Sequence, residues 1–315
     1  MTAIGFLPID KKGYRGIRGQ FLTFVLPAPA GCSLNCPFCL IKQREEASGG
    51  SLHPDDLARF ILEAAESGAI CALSIQGYEP LLPESLPYTK SVLSTGQKIG
   101  IPTSLVTNGL GLVNAIDVLA GLKPAKIAIS LDSASADIHD RLRGKAGAFD
   151  ETVEAIRQAK FHLPSEIDVI VSSVLIPYKA TNLLNMPPFL QSLGIRKWII
   201  NPLIKIRGKR SEYYNISNKK NIFGDILLLK RNSDFFGVDL TIDDEFNHLE
   251  FSSVREIEPL LHQVYVRTLP PGLKIFRLGP EGQCSAGSNI LKELASAAPR
   301  WQPNQMHAAN FLTSL

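Results

Sequence analysis

The sequence predicts an α/β fold: six parallel strands with helices outside, curled into a partial (βα)6 parallel barrel, followed by a smaller C-terminal α+β extension. Three observations carry that prediction. Between residues 20 and 205, six β-rich runs alternate with five amphipathic helical stretches. Several β-rich runs are almost continuously apolar, as expected of parallel strands covered on both faces. Glycines such as Gly68 and Gly194 stand just after helical patterns, where a helix is expected to stop.

The strands are expected at Phe21–Leu26, Ile70–Gln76, Pro102–Thr107, Lys126–Leu131, Ile167–Val174 and Lys197–Asn201. The first helix, Pro54–Ser67, has its proline early and an apolar stripe through Leu57, Phe60, Ile61 and Ala64. Further helices are expected at Glu84–Thr95, Gly111–Ala120, Thr152–Phe161 and Leu183–Leu193. The chain thus divides into a lead-in (1–19), the barrel (20–205) and an extension (206–315) suited to a lid or substrate region. Within the extension, Ile222–Arg231 and Val254–Val264 read as helices, and Val238–Ile242 and Leu273–Leu278 as strands. Right-handed crossovers would bring the C-terminal ends of all six core strands to one rim, where barrels of this kind carry their chemistry.

Composition narrows the function. Hydrophobic residues make up 45% and charged residues 20%, so a substantial core is expected. The 33 basic and 30 acidic residues leave a formal charge of +3, far from the excess of a general nucleic-acid binder. No apolar run approaches the ~18–20 residues of a membrane span, and the first ten residues lack a signal-peptide pattern. Five cysteines, three of them clustered, do not resemble a secreted disulfide framework. A cytoplasmic protein without a membrane or nucleic-acid partner is expected.

The cluster is a C-x3-C-x2-C triplet, Cys32, Cys36 and Cys39, in the run Gly31-Cys-Ser-Leu-Asn-Cys-Pro-Phe-Cys-Leu40 after the first strand. Three thiolates within eight residues can wrap one small inorganic centre, and the other cysteines, Cys71 and Cys284, are distant in sequence. Soft thiolates suit zinc or iron–sulfur. Structural zinc usually closes with four protein ligands, so a [4Fe–4S] cluster with one open iron is the better reading, with a zinc loop as the alternative.

The triplet, with Phe38 before its third cysteine, resembles the signature of the radical S-adenosylmethionine (SAM) superfamily, and the resemblance extends over about residues 20–205. It implies that the open iron is chelated by the amino and carboxylate groups of SAM. Reduction then gives methionine and a 5′-deoxyadenosyl radical. Gly77-Tyr78-Glu79-Pro80 resembles the family's G-G-E-P element, with Tyr78 in place of the second glycine. By that resemblance the Gly77–Pro80 backbone and Glu79 hold the methionyl amine, Phe38 packs near the adenine, and Asn108, Ser130 and Asp132 contact the remainder. Ser172 and Ser173 occupy the fifth strand, and Ser173 is carried as a SAM contact.

The stretch from Ser130 to Gly147, and on through Phe149 and Ile156, resembles molybdenum-cofactor biosynthesis enzymes and their peptide-modifying (SPASM/twitch-type) relatives. Arg141 faces either a bound anion or solvent, whereas Arg143 is expected at a solvated helix end. The basic run Lys205–Arg210 is expected to be a solvated face and Cys71 a small core residue. Cys284 is similar to one element of the relatives' auxiliary-cluster segment, but one thiol cannot hold a second cluster, so it is expected to be a structural leftover, with a radical-path or substrate-facing thiol as the alternative. The six histidines share no metal-binding spacing. The expected function is hydrogen abstraction from a small molecule or peptide, leading to oxidation, epimerisation or rearrangement. A flavodoxin- or ferredoxin-like donor would supply the electron. A zinc or thiol-redox module and a catalytically silent scaffold are the alternatives.

Overall fold

The computed structural model describes residues 20–25, 31–39, 53–66, 70–176, 183–202, 219–242 and 275–278. The chain order begins β1 (Gln20–Val25), α1 (Pro54–Glu66), β2 (Ile70–Gln76), α2 (Leu86–Ile99), β3 (Thr103–Thr107), α3 (Leu112–Leu122) and β4 (Lys126–Ser130). It continues with α4 (Ala136–Arg143), α5 (Ala148–His162), β5 (Asp168–Leu175), α6 (Met186–Ser192) and β6 (Lys197–Pro202). Three elements of the extension follow: α7 (Lys219–Phe235), β7 (Asp239–Ile242) and β8 (Ile275–Leu278).

All strand pairs are parallel, and the eight strands form one sheet in the order β7-β6-β5-β4-β3-β2-β1-β8. Each of β2 to β7 lies beside its predecessor, so the chain advances in one direction, as successive βα units of a barrel do. Two strands of the extension join the core sheet at opposite edges. Ile242 of β7 stands opposite Ile200, and Leu278 of β8 opposite Phe24. Because β8 runs parallel to β1, it ends on the same rim as the cysteine loop. The basic run, Cys284 and the Val254–Val264 stretch lie outside the described residues.

Side chains alternate across the sheet. Leu73, Ile75, Leu105, Ile127, Ile129, Val171, Trp198 and Ile200 meet Leu57, Ile61, Val92, Leu93, Leu119 and Ile156 from the helices, forming the principal core. Each fully buried aliphatic of this kind contributes about 1.5–3 kcal/mol of transfer free energy. The opposite parity carries Ser74, Gln76, Ser104, Ser130, Ser172 and Asn201, interleaved with Val106, Ala128, Ile170, Val174 and Ile199, all buried. The inner face therefore mixes short polar groups with aliphatic ones, and the apolar character of the strands concealed the polar share.

One helix was not foreseen. α4 occupies Ala136–Arg143, and α5 begins at Ala148, four residues before the expected start. The α5 N-terminus is capped from a distance: Gly147 and Phe149 N–H donate to the two Asp140 oxygens at 2.6 and 2.7 Å. That satisfies donors which a helix start otherwise leaves free. Among the described residues, no helix is long and apolar enough to cross a membrane.

Candidate active site

The cysteine loop follows β1 and is held against α4 by backbone. The terminal carbonyls of a helix lack intrahelical donors. The Arg143 carbonyl, at the end of α4, instead accepts the Asn35 N–H at 2.9 Å and the Cys36 thiol at 3.7 Å. Helix and loop touch closely at this point. Gly144 takes φ 65°, and a Cβ added there would lie 2.3 Å from the Asn35 carbonyl oxygen. Phe38 supplies the apolar anchor, buried with Leu142, Val174 and Ile176 while Cys36 and Ile138 pack against them. The Cys39 N–H closes a turn onto the Cys36 carbonyl at 3.1 Å. All three thiols are left half-buried.

Nitrogen donors surround two of the sulfurs. Cys32 Sγ receives the Leu34 N–H at 3.5 Å and the Asn108 amide Nδ2 at 3.6 Å. Arg143 Nη1 lies 4.0 Å from Cys36 Sγ. Burial raises the Cys36 thiol above its ordinary value, while the Arg143 guanidinium pulls it back. Donors aimed at sulfur, and a cation nearby, suit thiolates rather than thiols. Among the described residues, no His, Cys, Asp and Glu side chains are gathered as closely as the ligands of one metal ion. Three soft sulfur donors from one loop, two of them facing nitrogen donors, fit an iron–sulfur cluster.

The segment after β2 is fixed from below. Gly77 takes φ 122°, a conformation that side-chain-bearing residues rarely adopt. Lys123 is the only non-glycine with positive φ among the described residues, so Tyr78 replaces the family's second glycine without left-handed strain. Glu79 is fully buried, and its carboxylate points into the protein. Oε1 accepts Thr107 Oγ1 at 2.6 Å and the Leu81 N–H at 3.1 Å, and Oε2 accepts the Asn108 N–H at 2.7 Å. Burial pushes its pKa to about 7 against the pull of these donors. Glu79 thus ties the loop after β2 to the end of β3.

The end of β4 holds a buried ion pair. Arg143 Nη2 lies 2.8 Å from Asp132 Oδ2, with both side chains buried. Asp132 Oδ1 accepts the Val174 N–H of β5 at 2.9 Å. Burial works against the Arg143 charge, but Asp132 and the Cys36 sulfur more than offset it and hold its pKa above the ordinary value. His139 Nδ1 accepts the Asp132 N–H at 3.2 Å, which leaves the proton on Nε2. Burial, reinforced by Arg143, lowers the His139 pKa to about 3, so the ring is neutral.

Two readings of the sequence are corrected here. Arg143 is not a solvated helix end; it is 5% exposed and sits between Asp132 and Cys36. A signal was present, because His139 and Arg143 are four residues apart and therefore share one face of α4. Ser173 belongs to the helix-facing side of β5. Its hydroxyl donates to the Leu131 carbonyl and accepts the Trp198 indole N–H at 2.8 Å. Ser172 is the inner-face residue: it stands opposite Ser130 in the β4–β5 register and accepts Asn201 Nδ2 at 2.7 Å. The loop after β1, Gly77–Pro80, Asn108, Ser130 and Asp132 do converge on one rim, as expected.

A model of the Radical SAM superfamily matches residues 26–179, the span containing all of these elements. That span is a radical SAM domain. The cofactors of this superfamily are a [4Fe–4S] cluster and SAM. An AdoMet-dependent heme synthase of Methanosarcina barkeri is 33% identical over 147 residues, 45% of this chain and 40% of that protein. A PqqA peptide cyclase of Ruegeria pomeroyi is 28% identical over 151 residues, 45% of this chain and 39% of that protein. The chain thus matches about two fifths of the length of either curated relative. Among solved structures, Streptococcus suis SuiB bound to precursor peptide SuiA superposes with TM-score 0.61 at 15% identity, over 88% of this chain and 65% of SuiB. At that identity the likeness speaks for the fold alone.

Proposed function

We propose that the protein is a radical SAM enzyme that abstracts hydrogen from a peptide or metabolite. Cys32, Cys36 and Cys39 would hold the cluster, and the Gly77–Pro80 backbone the methionyl amine of SAM. The carrying observation is the cysteine loop itself: three half-buried thiols from one short segment, two with nitrogen donors near sulfur. When bound, cluster and SAM supply reductive cleavage of the sulfonium to methionine and a 5′-deoxyadenosyl radical.

The protein's own contribution is positioning. Glu79 and Asp132 serve the SAM site by holding backbone, since hydrogen bonds or ion pairing inside the protein engage both carboxylates. Phe38 seats the loop on α4 and β5 beside the cluster. Ser130 and Ser172, side by side on the inner face, would contact SAM or substrate. A flavodoxin- or ferredoxin-like protein is the expected electron source, and a reducing cytoplasm the suitable compartment. A peptide substrate is supported by the Ruegeria protein, which is named a peptide cyclase; the fold neighbour SuiB has been seen with a precursor peptide. The heme synthase keeps a metabolite open.

Anaerobic reconstitution tests the proposal. The protein should take up close to four irons and four sulfides per chain and, once reduced, release 5′-deoxyadenosine from SAM. Zinc without sulfide, or iron uptake unchanged when all three cysteines become serine, would refute it. Incubation with cell extract, followed by mass spectrometry of the peptides and small molecules consumed, then separates the two substrate classes.

A further inference from the structure

Asn108 is held at four points. Its N–H donates to Glu79 Oε2 at 2.7 Å, and its carbonyl accepts Thr152 Oγ1 at 3.1 Å. Its side-chain Oδ1 accepts the Leu110 N–H at 2.9 Å. That contact fixes which end of the amide is oxygen and leaves Nδ2 directed at Cys32 Sγ, 3.6 Å away. The residue is buried, at 7% exposure. The turn after β3 needs only a side-chain acceptor, which aspartate or serine also provides. The amide N–H toward sulfur is what asparagine adds.

We infer that Asn108 is a positioning residue for the cluster: its amide donates to the Cys32 thiolate and biases the bound cluster toward its reduced form. The inference rests on the three cysteines being cluster ligands, as proposed above. A donor at a ligating sulfur withdraws negative charge from it, so an added electron is better accommodated. Hydrogen bonds to sulfur are among the determinants of iron–sulfur potentials, and partners behind a ligand also fix its orientation. Glu79 acquires a consequence here, because its bond to the Asn108 N–H holds the donor in place.

The test is a potentiometric titration of reconstituted holoprotein without SAM, followed by the electron paramagnetic resonance signal of the reduced cluster. Asn108→Asp keeps the acceptor for Leu110 and nearly the same volume but replaces the donor with a carboxylate; Asn108→Ala removes the donor without adding charge. Each should make the cluster harder to reduce. A tenfold shift in the reduction equilibrium corresponds to about 59 mV for one electron, with the larger shift for aspartate. A variant that folds by circular dichroism but loses iron also supports the inference, because Cys32 then needs the amide to stay in position. Variants with the parent's iron content and the parent's potential overturn it. Failure of the parent itself to bind iron and sulfide would instead sink the cluster assignment, so the two failures are distinguishable.

Discussion

Adding one methyl group at Gly144 should loosen the cysteine loop without touching a sulfur. The residue sits at φ 65°, and the new Cβ would approach the Asn35 carbonyl oxygen to 2.3 Å and its carbon to 2.7 Å. Both atoms are backbone, so no side-chain rotation relieves the overlap. Alanine in a left-handed conformation costs about 1–2 kcal/mol, and forced overpacking roughly another 1–3. Cheaper relief comes from moving the loop away from α4, which breaks the Asn35 N–H to Arg143 carbonyl bond and displaces the adjacent Cys36. Gly147 supplies the control. It has φ 77° but nothing within 4 Å of an added Cβ, so Gly147→Ala carries the backbone penalty alone.

Thermal unfolding and iron content after anaerobic reconstitution read the two effects. Gly147→Ala should lower stability by about 1–2 kcal/mol and load iron normally. Gly144→Ala should lose more stability and also load less iron. Equal behaviour of the two variants would refute the claim that contact between α4 and the loop sets the cysteine geometry.

The Asp132–Arg143 pair should behave as a unit: Asp132→Asn or Arg143→Met alone costs roughly 3–5 kcal/mol by stranding a buried charge. The double variant should recover much of that, and additive losses in a double-mutant cycle would argue against the pair. Burial raises Glu79 from 4.5 to about 7, so the folded state binds that proton more tightly than the unfolded one. Its contribution is complete below 4.5 and lost as pH rises through 7, about 3 kcal/mol in total. Melting between pH 5.5 and 8 should therefore fall with pH in the parent and flatten in Glu79→Gln; parallel curves would contradict this. Ser173→Ala should cost about 1–3 kcal/mol by leaving the buried Trp198 N–H without its acceptor, with deoxyadenosine yield per iron unchanged, whereas a selective loss of yield would return Ser173 to the site.

The cysteine loop was legible because it is local: three thiols and their aromatic neighbour occupy eight consecutive residues. The core strands were legible for a related reason, since their lengths and apolar content are properties of short windows. Parity in β5 was not. Val169-Ile-Val-Ser-Ser-Val-Leu175 has no polar alternation, and a one-residue change of register turns every side chain to the other face. Pairing of Ser130 with Ser172, and the demand of the Trp198 indole for an acceptor, decide it in three dimensions. Arg143 escaped because Cys36 is 107 residues away along the chain. A cation at the end of a short helix reads as solvated until the element that covers it is known. The edge positions of β7 and β8 likewise depend on pairings that no window contains.

The same contrast explains how polar residues are divided on this rim. A loop that must present sulfur to a cofactor cannot be stabilised by burying it deeply, because the thiols need to remain reachable. Rigidity has to come from behind. Glu79 ties the β2 loop to β3, Asp132 ties β4 to β5 through the Val174 N–H, and Arg143 joins that second tie to the cysteine loop. Two buried carboxylates thus cross-link four strand ends without facing solvent. Buried charge is expensive unless paired or hydrogen-bonded, and both carboxylates meet that condition on backbone N–H groups from a neighbouring strand end. Their cost is tolerated where a small displacement of backbone would displace a ligand. On the proposed function, the motif carboxylates would act from behind the cofactor site, and the groups proposed to touch the cofactor are the sulfurs, the backbone of Gly77–Pro80 and the short hydroxyls of the inner face.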